Sequence, residues 1–251
     1  MATLRSDRIG PPSGLHDRRV LSRLRSRGSD ALGGHAVFCA AALPGGHAAG
    51  RRLGALLPAD VERFHLAVEP SDPPAELARQ LDAMLAGVSP ARSLGAAARE
   101  EFLRGAELVE PTLGAGVRPG DVVVLHDSFA FSLAPALRDR GAHAVWHLRR
   151  ATGSQAPHVS EALDFLDRAG GGAVDAVVID EWMDDDGPAR VAALVPAARL
   201  LDIREVSPGR DAVRAERLAL AWISLLGDIL EEDRADHVGG TIHVRPIVAA
   251  R

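Results

Sequence analysis

The chain contains no lysine, no asparagine and no tyrosine, and its only cysteine is Cys39. All 29 basic residues are therefore arginine. Without lysine the polypeptide has no Walker-type phosphate lysine, no Schiff base and no lysine general base. One cysteine cannot close an internal disulfide, which fits a reducing cytoplasm, and its place in an apolar run makes Cys39 a small core residue. Long apolar runs are missing as well. None approaches the roughly 20 residues that span a bilayer, so no membrane partner is expected. The Arg-rich start, MATLRSDRIGPPSGLHDRRVLSRLRSRGSD, lacks an apolar core segment and is not a secretory signal. The net charge is −5 and no basic patch interleaved with aromatics follows, so nucleic acid is not an expected partner either.

What is present is an ordinary globular vocabulary: 251 residues, 47% apolar and 25% charged. Strand-like runs occur at HAVFCAA (35–41), VERFHLAVE (61–69), DVVVLHD (121–127), HAVWHL (143–148), AVDAVVIDEW (173–182) and the shorter LLDIREVSPG (200–209). Helical stretches alternate with them: LPGGHAAGRRLGALLP, the Pro-capped SDPPAELARQLDAMLAGVSP, the Ala- and Glu-rich residues 91–118, SLAPALRDRG and HVSEALDFLDRAG. This alternation predicts an α/β fold, a single Rossmann-like, doubly wound parallel sheet. A long carboxy-terminal amphipathic helix, DAVRAERLALAWISLLGDILEEDR, completes it. The expected organisation is an Arg-rich arm over 1–30, the α/β domain over 31–208, and the helix and tail over 209–251.

Open parallel sheets bind ligands outside the carboxyl ends of their strands, so the residues found there are the candidates. His126 and Asp127 end the most apolar strand. They suit part of a metal site, a nucleophilic triad, or polar recognition of a hydroxyl-rich ligand. The ten His are scattered without paired metal spacing, and Ser128 lacks the flanking glycines of a nucleophile elbow. PGGHAAG offers Gly45, Gly46 and His47 at a helix start, the physical basis for holding an anion or a close hydroxyl, although the G-x-G-x-x-G fingerprint is absent. Trp146, His147, Arg149 and Arg150 close the neighbouring strand, where paired guanidinium groups clamp phosphates or carboxylates. Glu69 ends the second strand, in the position that holds a ribose in nucleotide-binding folds. The acidic run Asp184–Asp186 has no EF-hand spacing and reads as a solvated turn.

Taken in order, these motifs resemble a known series: a strand followed by GG-x-A and a helix ending in LLP, a strand ending in V-E, DVVVLHD, a strand with Trp leading to a basic loop, SEALDFLDRA and VDAVVI. Over residues 33–208 the chain is similar to the amino-terminal half of the trehalose synthase-like retaining glycosyltransferases, which have the GT-B fold. The resemblance implies half of a GT-B fold, whose amino-terminal Rossmann-like domain binds the acceptor sugar. By the same resemblance Gly45 and Gly46 match the glycine loop of the cleft, and His126 and Asp127 match the His-Asp facing the acceptor. The chain departs from the pattern in reading Ser128 and Phe129 where the family continues Pro-Gln, and in carrying Arg149 where Trp-x-x-His places a histidine.

The resemblance further implies a donor-binding second domain, and the roughly 40 residues after Ser207 and Pro208 are too few for one. The expectation is a stand-alone acceptor-side half of a glycosyltransferase. It would bind a sugar or cyclitol and work with a separate donor-binding chain, needing no cofactor or metal of its own. His126 and Asp127 would act on the acceptor hydroxyl, with Asp127 accepting its hydrogen bond or fixing the imidazole, and Gly45, Gly46, His47, Trp146, Arg149 and Arg150 would bind around them. A non-catalytic binding or scaffold protein is the rival reading, with the apolar carboxy-terminal helix (Leu218, Trp222, Leu225, Ile229 and Leu230) forming a homodimer. A helix folded back across its own domain is the other use for that face.

Overall fold

The run Val122–Leu125 is buried at every position, and a strand of that kind needs both faces covered. In the computed structural model it is β3, inside a sheet with β1 (Val37–Ala41), β2 (Val61–His65), β4 (His143–Leu148), β5 (Ala176–Ile179) and β6 (Arg199–Asp202). The structure describes residues 24, 26–28, 30–32, 35–57, 61–65, 72–114, 116–149, 157–180, 191, 199–203 and 211–238. All six strands are parallel, in the order β2-β1-β3-β4-β5-β6; five lie within runs expected from sequence, and β6 begins one residue ahead of its run, at Arg199. The chain direction across the sheet reverses between β1 and β3. That reversal is the topological switch point, and the crevice of an open α/β sheet lies at its carboxyl edge.

Side chains alternate across a strand, and two cores result. Phe38, Ala40, Val123, Leu125, Trp146, Val177 and Ile179 face one side. There they pack under α2 (Pro73–Leu85), α3 (Ala96–Gly114), α4 (Ser128–Phe131), α5 (Ala134–Asp139) and α6 (Pro157–Gly170). Val37, Cys39, Val122, Val124, Val145, Ala176 and Val178 face the other, under α1 (Pro44–Leu56) and α7 (Asp211–Val238). Cys39 is buried there as a small core residue.

Two boundaries differ from the sequence expectation. The helix expected over 91–118 begins at Ala96, because the preceding chain is held otherwise: the Gln80 side chain donates to the Arg92 carbonyl at 2.7 Å and Arg92 pairs with Glu101. Ser128–Phe131 forms the separate turn of helix α4, since Asp127 caps it by accepting the Ala130 N–H at 2.8 Å. The carboxy-terminal helix folds back on its own sheet. Ala219, Trp222, Ile223, Leu225, Leu226, Ile229 and Leu230 are all buried in the second core, so the face that suggested a homodimer is used within the chain. Among the described residues no helix is long and apolar enough to cross a membrane.

Candidate functional site

Aspartates bracket β1 from both ends of β3. Asp121 accepts the Ala36 N–H at 3.0 Å at the amino edge, and Asp127 accepts those of Ala42 and Leu43 at 2.8 Å each at the carboxyl edge. With Ala130 added, Asp127 receives three backbone N–H groups, two on Oδ2 and one on Oδ1. The residue starting α1, Leu43, has no capping side chain, and a carboxylate 84 residues further along the chain lies there instead. The helix start expected to hold a ligand anion thus holds one of the protein's own.

The glycine pair follows from the same crowding. A Cβ at Gly46 would sit 2.4 Å from Asp127 Oδ2, and one at Gly45 would sit 2.6 Å from Arg149 Nη1. Gly46 is crowded by a carboxylate held on backbone N–H groups, whereas the neighbour of Gly45 is the movable end of the Arg149 side chain. Neither glycine, nor His47, lines the cavity described below.

His126 does not have Asp127 as its partner. Its Nδ1 faces Nδ1 of His147 at 3.0 Å, both rings are buried, and His147 Nε2 lies 3.6 Å from Asp180 Oδ2. The expectation that Asp127 fixes the imidazole is corrected: its oxygens are turned to the backbone, and His147 holds the ring. These three residues stand on one face of adjacent strand ends, with Trp222 of α7 packed edge-on against His147 at 5.6 Å. Burial pushes the His126 imidazole well below its ordinary value, with His147 and Arg149 adding to the shift. Burial also lowers His147, while Asp180 pulls it back up. Both rings are neutral at pH 7. One Nδ1 donates to the other, and Nε2 of each ring is buried with no hydrogen-bond partner among the described residues.

Arg149 closes the other side. Its Nε donates to the His126 carbonyl at 2.7 Å, and its Nη2 lies 3.4 Å from Asp82 Oδ2. Asp82 comes from α2 and was not among the expected residues. Its Oδ1 accepts from Ser128 twice, from Oγ at 2.6 Å and from N at 3.1 Å. Burial, then the charge of Asp127, pushes the Asp82 carboxyl up to about 6, against the pull of Ser128 and Arg149. A carboxyl so displaced in a cleft is a mark of functional sites.

These groups surround a cavity of about 370 Å³ at the carboxyl edge of β3, β4 and β5, within the size range of small-molecule sites. His126, Asp127, Trp146, His147 and Arg149 line it, together with Ser128 and the unanticipated Arg52, Asp82 and Asp180. Its solvent-facing walls include Asp82, Arg149 and Asp180, whose side chains are 24%, 24% and 27% exposed, while His126 is wholly buried. Trp146 faces the opposite side, its ring 4.9 Å from Phe131. Arg150, Glu69 and Asp184–Asp186 lie outside the described residues. No group of three or more His, Cys, Asp or Glu is placed to hold a metal among the described residues.

Sequence contained signals for the missed residues. Asp82 stands one helical turn from Ala78 and from Leu85, on the buried stripe of α2, where a carboxylate needs a partner. Alternation along β4 and β5 puts Asp180 on the same face as His126 and His147. In comparisons with family models, curated proteins and solved structures, nothing matches the chain.

Proposed function

We propose that this cavity binds an uncharged, hydroxyl-rich acceptor, and that the chain is the acceptor-side half of a GT-B-type, trehalose synthase-like glycosyltransferase that works with a separate donor-binding chain. The observation that carries the reading is the composition of the wall at the carboxyl edge of β3, β4 and β5. Carboxylates (Asp82, Asp180) and guanidinium groups (Arg52, Arg149) line it together with the neutral imidazoles. Hydroxyls donate to the first and accept from the second, so a polyol satisfies such a wall without carrying charge into it. A sugar phosphate is less suited, because it would displace Asp82 from Arg149 and then face two carboxylates.

In this reading the site recognises and orients. A retaining transfer asks the acceptor side chiefly for position, while stabilisation of the leaving diphosphate falls to the donor side. Asp127 keeps the β1 loop, α1 and α4 in register, and His126 and His147 form a neutral floor fixed by Asp180. The buried situation of His126 and the backbone bonds of Asp127 support recognition over acid–base work by that pair.

The test is reconstitution. The full chain is mixed with a nucleotide-sugar-binding Rossmann partner encoded beside it, a nucleotide sugar and a panel of sugars and cyclitols. Glycoside formed only when both chains are present supports the reading. Absence of any complex and of any transfer with every neighbouring candidate overturns the transferase assignment.

A further inference from the structure

Asp82 and Arg149 face each other across the mouth of the cavity, equally exposed and incompletely paired. Asp82 Oδ1 is filled by the two Ser128 donors, which fix the plane of the carboxylate and leave Oδ2 directed at Arg149. Arg149 is fixed as well: Nε is bound to the His126 carbonyl, and Nη1 lies against Gly45. Between Oδ2 and Nη2 the distance is 3.4 Å, against about 2.7 to 2.9 Å for a charge-assisted hydrogen bond. Ser128 holds Asp82 by one oxygen and the His126 carbonyl holds Arg149 by Nε, which leaves the long contact between them as the adjustable part of the pair.

We propose that the Asp82–Arg149 pair is the reader of the ligand, and that it selects adjacent ring hydroxyls. This rests on the polyol reading above and makes it specific. An anionic group would satisfy Arg149 and be repelled by Asp82; an ammonium group would do the reverse. A hydroxyl both donates and accepts, so a pair of neighbouring hydroxyls bridges Oδ2 and Nη2 and completes both partners. Asp82 is then the acceptor for a ligand O–H, and Arg149 the donor to the neighbouring oxygen. The charged groups around Asp82 are Asp127 and Arg149, with Ser128 bonded to it, and burial with the Asp127 charge holds its carboxyl near 6. Ligand binding therefore has its own pH signature, which D82N removes while leaving His126 and His147 in place.

The test is calorimetric titration of the full chain with D-glucose, myo-inositol and trehalose at pH 7.5, repeated at steps down to pH 5 and with Asp82→Asn. The amide offers its oxygen to Ser128 and turns an N–H toward Arg149, so the acceptor is lost while size is kept. The expected results are at least a tenfold loss of affinity in D82N, and affinity in the unaltered chain that falls below about pH 6, with no such fall in D82N. Thermal unfolding of D82N confirms that it is folded. Unchanged affinity in folded D82N, or pH-independent binding by the unaltered chain, overturns the Asp82 assignment alone. Absence of binding to every polyol by the unaltered chain overturns the polyol reading and this assignment with it.

Discussion

Gly46 and Gly172 are both glycines without positive φ, and only their surroundings distinguish them. An added methyl at Gly172 meets nothing within 4 Å, whereas at Gly46 it meets the Asp127 carboxylate at 2.4 Å and Ala41 Cβ at 3.0 Å. Asp127 cannot retreat without releasing three backbone N–H groups, two of them from the start of α1. Gly46→Ala is expected to destabilise the fold by about 1 to 3 kcal/mol, the range of core overpacking. Gly172→Ala should stay within about 0.5 kcal/mol of the unaltered chain. Urea midpoints for the two variants check this, and equal midpoints would mean that Asp127 is not the rigid bracket described. The DVVVLHD stretch announced in sequence that its last two residues stand at a site. It did not reveal that Asp127 is spent on the backbone, because its partners lie 84 and 85 residues upstream and only strand pairing brings them together.

Among the elements, the middle of the sheet was legible because β1, β3, β4 and β5 are short apolar runs closed by polar or turn-forming residues, and burial on both faces demands that composition. Helix ends were less legible. Where α3 starts depends on Gln80 and Arg92, and where α4 starts depends on Asp127, none of which a periodic pattern contains. The use of α7 was open in sequence, since an amphipathic stripe fits a partner as well as its own sheet. Trp222 decides it physically: it is 2% exposed, among the largest fully buried side chains, and stacked on the edge of His147. Trp222→Ala should cost about 3 to 5 kcal/mol, the range for removing a buried aromatic. Leu218→Ala, on a partly buried position of the same helix, should cost distinctly less. Chemical denaturation of both variants tests this. Similar small losses would contradict the docking of α7 through its Trp222 face.

For the molecule as a whole, the ionisable groups of the site predict how stability follows pH. His126 and His147 are held below their ordinary values, so as pH falls through about 6.5 the unfolded chain takes up protons that the folded chain refuses. Their contribution is fully present above that value and is lost toward acid. Asp82 acts oppositely. Its folded carboxyl titrates at about 6, above its unfolded value of 3.8, so its contribution is fully present below the unfolded value and is lost as pH rises through 6. Asp82→Asn should therefore raise stability at pH 7.5 by about 1 to 2 kcal/mol, the discounted equivalent of a shift of roughly two units in a quarter-exposed group. It should also make the acid loss below pH 6 steeper. Thermal midpoints across pH 5 to 8 check both statements, and a D82N variant less stable at neutral pH would contradict the burden assigned to that carboxylate. Stability given up at a cleft residue is the usual trade for function, and Asp82 is where this fold makes it.

The central claim is that the carboxyl edge of the sheet recognises an uncharged polyol. Saturation-transfer NMR on the full chain, with D-glucose and myo-inositol set against their monophosphates at equal concentration, tests it most directly. The account predicts transfer to the ring protons of the neutral compounds, weaker transfer to the phosphates, and loss of the signal in Asp82→Asn. Silence from every neutral polyol, or stronger transfer to the phosphates, would contradict it.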